Sequence, residues 1–243
     1  MSPLLLYTHL LALSFVVVIP VMGYFRNRKA KAEVRAGDPR AKVRLLRQLV
    51  AKQVIYIGLV SLLWALGGVS ARDLGWRAPP SWWLTVGLTG LAAIFFVVSA
   101  LRLRAKSAKL RQKLDERAGA LLPDTMEERR WFAAVCVFGG TFEELAYRGF
   151  LFYYLGLLFP SINGVEQVLV TSVLFGTGHL YQGGKGILST GIAGLVMGAL
   201  YLVGGNLLLP TVSHILANMR VLLIFPPRPA QPLASPGPEA EHA

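Results

Sequence analysis

Charged residues are scarce in this sequence. Asp, Glu, Lys and Arg make up 16% of its 243 residues, against about 25% in ordinary soluble domains. That shortfall excludes a fully solvated globular surface, and it excludes a disordered chain. Cysteine is scarcer still. Cys136 stands alone, so no intramolecular disulfide is available, and its place inside an apolar run reads as packing. Acidic residues number 13 against 25 Lys and Arg, a formal charge of +12. Such a balance would suit a nucleic-acid binder, but its distribution excludes that class. From Arg26 to Arg47 nine Lys or Arg stand with two acids, and from Arg102 to Arg130 nine stand with five. Short basic stretches between apolar runs mark loops kept on the inner side of a membrane.

What the chain has in plenty is apolar sequence, 54% of residues, with a mean hydropathy of +0.51. Seven runs stand out: Leu4 to about Phe25, Val54 to Val69, Trp82 to about Leu101, Trp131 to Phe159, Val165 to Leu180, Ile187 to Val203, and Pro210 to Phe225. Most approach the roughly 20 residues a helix needs to cross the hydrocarbon. The expected fold is an all-α, polytopic membrane bundle of about seven transmembrane helices. Residues 1–130 supply N-terminal spans and basic cytoplasmic loops, 131–225 a catalytic core, and 226–243 a disordered Pro-rich tail.

The first run lacks a basic leader and a small-residue cleavage site, and Arg26, Arg28 and Lys29 follow it. It reads as a retained span with its N-terminus outside. Seven crossings then leave the C-terminus cytoplasmic, with Lys185, Arg220 and Arg228 at the inner side. Trp82-Trp83 suits an interfacial belt. Asp124 and Thr125 followed by Glu127 and Glu128 resemble a helix N-cap. Gly194 and Gly198, with Gly191 one turn earlier, permit close helix packing, and packing within the bundle is the expected use rather than dimerisation.

The informative residues are ionisable groups inside apolar runs, which face a bundle interior or an aqueous cavity. Glu143, Glu144 and Arg148 lie in the fourth run, His179 in the fifth, and His214 and Asn218 in the seventh. Glu144 and Arg148 share a helix face and can pair. Glu143 lies about 100° round and could point into a different space. Phe175 with His179, and His214 with Asn218, are each four apart. Three helices thus offer polar groups to a common chamber. A carboxylate can take a proton from water, an imidazole can orient that water, and an amide with a second imidazole can stabilise an oxyanion; amide hydrolysis needs all three. Two His and one or two Glu also suit zinc, although no His-Glu-x-x-His pair is present. A structural ion pair plus a polar clamp is the plainer reading of the same residues, and a transporter pathway is a further one.

At Glu143-Glu144-x-x-x-Arg148, Phe175-x-x-x-His179 and His214-x-x-x-Asn218 the chain resembles the CAAX prenyl endopeptidase and bacteriocin-processing (CPBP) family of intramembrane proteases. The resemblance covers roughly Trp131 to Phe225. It implies an endopeptidase that cuts peptide bonds near the membrane with glutamate-activated water. Glu143 would be the base, His179 would orient the water, and His214 and Asn218 would form the oxyanion site. Glu144, Arg148 and Phe175 would support them. It implies no required cofactor; if zinc were bound, Glu143, His179 and His214 would hold it. The implied partners are a membrane-associated peptide or protein substrate and the lipid bilayer, with no nucleic acid, and the implied location is a bacterial inner membrane. A non-catalytic immunity or interaction protein of the same fold is the alternative, ahead of a transporter.

Overall fold

The computed structural model describes residues 2–106, 108–109 and 122–227. Arg111, Lys113 and Arg117 of the second basic stretch lie outside the described residues, as do Arg228 and the tail from 228 onward. The elements are α1 (Pro3–Leu13), a π-helical segment (Ser14–Val18), α2 (Ile19–Arg35), α3 (Ala41–Ala65), α4 (Trp82–Arg104), α5 (Met126–Glu144), a second π-helical segment (Leu145–Phe150), α6 (Leu151–Leu158), α7 (Gly164–Thr177), a 3₁₀ turn (Leu180–Gln182), α8 (Gly183–Gly204) and α9 (Leu208–Ile224). The two π segments join α1 to α2 and α5 to α6 without a break. The described residues therefore form seven helical rods and no strand, the architecture of a membrane bundle.

Several rods depart from the apolar runs. The first basic stretch is not a loop: α2 continues to Arg35 and α3 begins at Ala41, so the chain turns only across residues 36–40. Lys and Arg are good helix formers, and a helix end can project beyond the hydrocarbon. Gly37, at φ +82°, makes the reversal. Arg44 then ties the corner, with Nη2 2.8 Å from Glu33 and 2.7 Å from Asp38. The Arg44 side chain and the Arg40 amide hold the Asp38 carboxyl below its ordinary range. At the start of α5, Thr125 caps the Glu128 amide and Glu128 reaches back to the Thr125 amide, the reciprocal cap its sequence suggests.

The fifth run differs most. α7 stops at Thr177 instead of continuing to Leu180. Four long helices carry enough apolar sequence to cross a membrane: Pro3–Val34, Ala41–Ala65, Trp82–Arg104 and Leu180–Gly204. α7, with 14 residues, is about 21 Å long, short of the roughly 30 Å hydrocarbon. Non-helical backbone at membrane depth is tolerated where protein buries it or where it lines a cavity. The turn after α7 does the second.

Contacts between rod ends define the two ends of the bundle. At the basic end Lys42 bonds the Leu122 carbonyl at 3.1 Å and pairs with Asp124. Arg47 sits 5.1 Å from the Trp131 ring, and Arg129 bonds the carbonyls of Phe225 and Leu222. At the other end the Leu207 amide donates to the Gly75 carbonyl at 3.0 Å, and the Tyr153 hydroxyl to that of Gly68 at 3.0 Å. The rods thus run alternately between two ends, and the described parts of both basic stretches share one.

One apolar core crosses the chain's midpoint. The Phe15 ring lies 5.7 Å from Phe142, 5.4 Å from Phe150 and 5.6 Å from Tyr56, so the N-terminal rods and the motif-bearing rods are packed together. α7 and α8 approach closest through glycine. A Cβ at Gly198 would stand 2.6 Å from a Val168 methyl, and one at Gly194 would stand 3.1 Å from the Ser172 Cα. The small-residue face of α8 is thus used within the chain.

Candidate active site

α5 delivers two adjacent carboxylates to different surroundings. Glu144 is fully buried. Its Oε1 accepts from Arg148 Nη1 at 3.1 Å and lies 2.7 Å from His214 Nδ1 on α9. Arg148, also fully buried, donates from Nη2 to the Gly194 carbonyl of α8 at 2.6 Å. One carboxylate and one guanidinium therefore tie together α5, the π segment, α8 and α9. Burying charges is costly unless they are paired and hydrogen-bonded. The pairing holds here, yet Glu144 Oε2 and Arg148 Nε are buried without a hydrogen-bond partner among the described residues.

The i,i+4 pair expected from sequence is present, on a rod that changes form at that point. The π-helical segment begins at Leu145, immediately after Glu144, and contains Arg148. Such wide turns recur at functional sites. This one has no signature in the sequence.

Glu143 points the other way. Its side chain is partly exposed and lines a cavity of about 170 Å³, together with Tyr147 and His179. Its Oε2 is 3.5 Å from His214 Nε2. His214 therefore stands between the carboxylates, with Nδ1 on Glu144 and Nε2 towards Glu143.

Phe175 organises the remaining rings. It is buried, with ring centres of Tyr147 at 5.1 Å, His179 at 4.9 Å and His214 at 5.9 Å, and the Arg148 guanidinium lies 5.2 Å from its face. His179 is not on the same helix as Phe175, contrary to the expectation from spacing. α7 has ended, and His179 follows Gly178 in the turn. The turn is forced close to α5, because a Cβ at Gly178 would come within 2.8 Å of the Tyr147 hydroxyl. Even so, His179 Nδ1 is 2.9 Å from the Phe175 carbonyl. A carbonyl only accepts, so Nδ1 carries the proton, and in the neutral ring Nε2 keeps its lone pair.

Asn218 stands one turn beyond His214 on α9, half-buried; the described cavity wall does not include it. The wall does include residues that motif reasoning missed: Tyr147 on the π segment, Arg26 and Asn27 on α2, and Lys52 and Gln53 on α3. Lys52-Gln53 is a polar pair at the edge of an apolar run, and nothing local in the sequence ties it to Glu143.

For zinc, the available donors would be Glu143 and the Nε2 atoms of His179 and His214. Among the described residues, no three His, Cys, Asp or Glu converge as a group able to hold a metal ion.

A carboxylate and an imidazole in the wall of a cavity enclosed by helices, with a second imidazole beside the carboxylate, are groups able to support amide hydrolysis. Residues 127–220 match the family model described as type II CAAX prenyl endopeptidase Rce1-like. That segment contains Glu143, Glu144, Arg148, Phe175, His179, His214 and Asn218, and the match supports an intramembrane protease of the CPBP family. No curated protein and no solved structure shows a match.

Proposed function

We propose that the protein hydrolyses peptide bonds of membrane-associated peptides or proteins with a water activated by Glu143. The observation that carries this reading is the placement of Glu143. Its carboxylate faces a cavity beside His179, with an imidazole nitrogen 3.5 Å behind it.

In this mechanism the His179 Nε2 lone pair accepts a hydrogen bond from the water, which keeps that hydrogen, while Glu143 takes the other proton as the oxygen attacks the peptide carbonyl. The oxyanion is met by Nε2–H of His214 and by the Asn218 amide. For Nε2 to donate while Nδ1–H is bonded to Glu144, His214 must carry both protons. The flanking carboxylates supply the counter-charge. Glu143 then passes its proton to the leaving amine as the C–N bond breaks. Glu144 and Arg148 are positioning residues, because they act through His214 and through the packing of α8. The basic end is the cytoplasmic end and the N-terminus lies outside, in a bacterial inner membrane.

The test is cleavage of a broad library of membrane-anchored fluorogenic peptides by protein purified in detergent. Glu143→Gln is expected to lower kcat by about 10²–10⁴-fold, the usual contribution of a positioned acid–base group. Cleavage unchanged by that substitution would remove the base assignment. Because the sequence has no His-Glu-x-x-His ligand pair on one helix, elemental analysis of active protein is expected to find no stoichiometric zinc. One zinc per chain, lost and regained together with activity, would overturn the water-only mechanism.

A further inference from the structure

The hydrolytic scheme gives no role to Tyr147. It follows Glu143 by four residues, on the π segment, and lines the cavity together with Glu143, Gly178 and His179. Its ring is buried and meets Phe175 edge-on, with centres 5.1 Å apart and planes at 88°. That contact fixes the ring. The hydroxyl reaches the turn after α7, because a Cβ on Gly178 would stand 2.8 Å from it, and Gly178 directly precedes His179. The hydroxyl thus shares one stretch of wall with the carboxylate and the imidazole assigned to the water.

The hydrogen bond of this hydroxyl is unaccounted for. Tyr7, Tyr56, Tyr153 and Tyr154 each place their hydroxyl on a protein partner, as buried tyrosines usually do. The Tyr147 hydroxyl has no such partner among the described residues, and its oxygen is not sealed away. It is a donor with no structural acceptor, beside the space where the reaction is placed. The oxyanion, meanwhile, is short of donors. Asn218 lies outside the described cavity wall, and His214 Nε2 is turned towards Glu143 at 3.5 Å.

We propose that the Tyr147 hydroxyl donates a hydrogen bond to the oxyanion, a catalytic role that rests on the endopeptidase reading and adds a phenol to its donors. As the water oxygen bonds to the carbonyl carbon, the C=O π pair moves onto the carbonyl oxygen. That oxygen accepts from the Tyr147 O–H, which keeps its proton. When the C–N bond breaks, the pair returns to the carbonyl and Glu143 passes its proton to the amine. A fixed donor aimed where charge develops acts most strongly in a site enclosed from water.

The test compares the full chain with Tyr147→Phe in detergent, using the library of membrane-anchored fluorogenic peptides. The substitution is expected to lower kcat by about 10²-fold, the scale of one lost oxyanion donor, with KM unchanged. The unfolding midpoint is expected to stay where it is, because the hydroxyl holds no partner within the protein. Fluorotyrosine at position 147, a more acidic phenol of nearly the same shape, is expected to keep most of the rate and to move the alkaline limb of the pH profile to lower pH, which a packing role would not do. Full kcat in Tyr147→Phe, a raised KM with kcat unchanged, a lowered unfolding midpoint, or an unmoved alkaline limb would overturn the donor. Failure of the base assignment reads differently. Cutting lost in Glu143→Gln but complete in Tyr147→Phe would sink the donor alone, and the reverse pattern would sink the base alone. No cutting of any peptide by the unaltered chain would overturn the endopeptidase reading and the donor with it.

Discussion

At Glu144 one oxygen serves two partners, Arg148 Nη1 at 3.1 Å and His214 Nδ1 at 2.7 Å. Removing one member of a buried ion pair leaves the other uncompensated, which typically costs 3–5 kcal/mol. Arg148→Met is therefore expected to destabilise the protein by about 3 kcal/mol or more, read as a lower unfolding midpoint in detergent. Replacing both partners removes the stranded charge, so Glu144→Gln with Arg148→Met should recover part of that loss. A double variant as unstable as the sum of the two singles would show that the pair is not coupled. The Glu144–Arg148 contact was legible four residues apart on a helix. The contact of Glu144 with His214 was not, because 70 residues separate them and periodicity is blind to distance between helices.

Among the elements, the α7–α8 pair carries the tightest packing. Gly176 faces backbone, with the Ile187 carbonyl 2.8 Å from where its Cβ would be, while Gly198 faces Val168. Valine has one stiff torsion and cannot swing away freely. Gly198→Ala is expected to cost about 1–3 kcal/mol by overpacking, with part regained in combination with Val168→Ala. The loss should be independent of protein concentration, since the contact is internal; a loss that vanished on dilution would move this face to a dimer interface. The Gly-x-x-x-Gly spacing announced a close approach, and structure alone shows which helix makes it. Helix ends were less legible. α7 stops three residues before the apolar run ends because Gly176 and Gly178 weaken the helix and the chain must turn past Tyr147. Hydropathy records neither effect.

Across the whole molecule, alternation of the rods makes orientation testable. With the basic end cytoplasmic, cysteine at Ala36, an exposed position in the first basic corner, is expected to be protected in whole cells from an impermeant thiol reagent. Cysteine at Ser161, exposed at the opposite end, is expected to react. Cys136 is buried and would be replaced by Ala to clear the background. Labelling at 36 with protection at 161 would invert the assignment.

Composition and apolar runs were enough to establish a helical membrane protein. Seven segments and three polar motifs could be read because lipid exposure selects residues one by one along each helix. The resemblance to the family could be read for the same reason, since the motif residues lie close together within single segments. Only the tertiary structure decided where those segments meet: the wedge of His214 between two carboxylates, the turn that carries His179, and a cavity whose far wall comes from α2 and α3. Chains of that length reach one site through packing between helices distant in sequence, and local residue patterns hold no record of such packing.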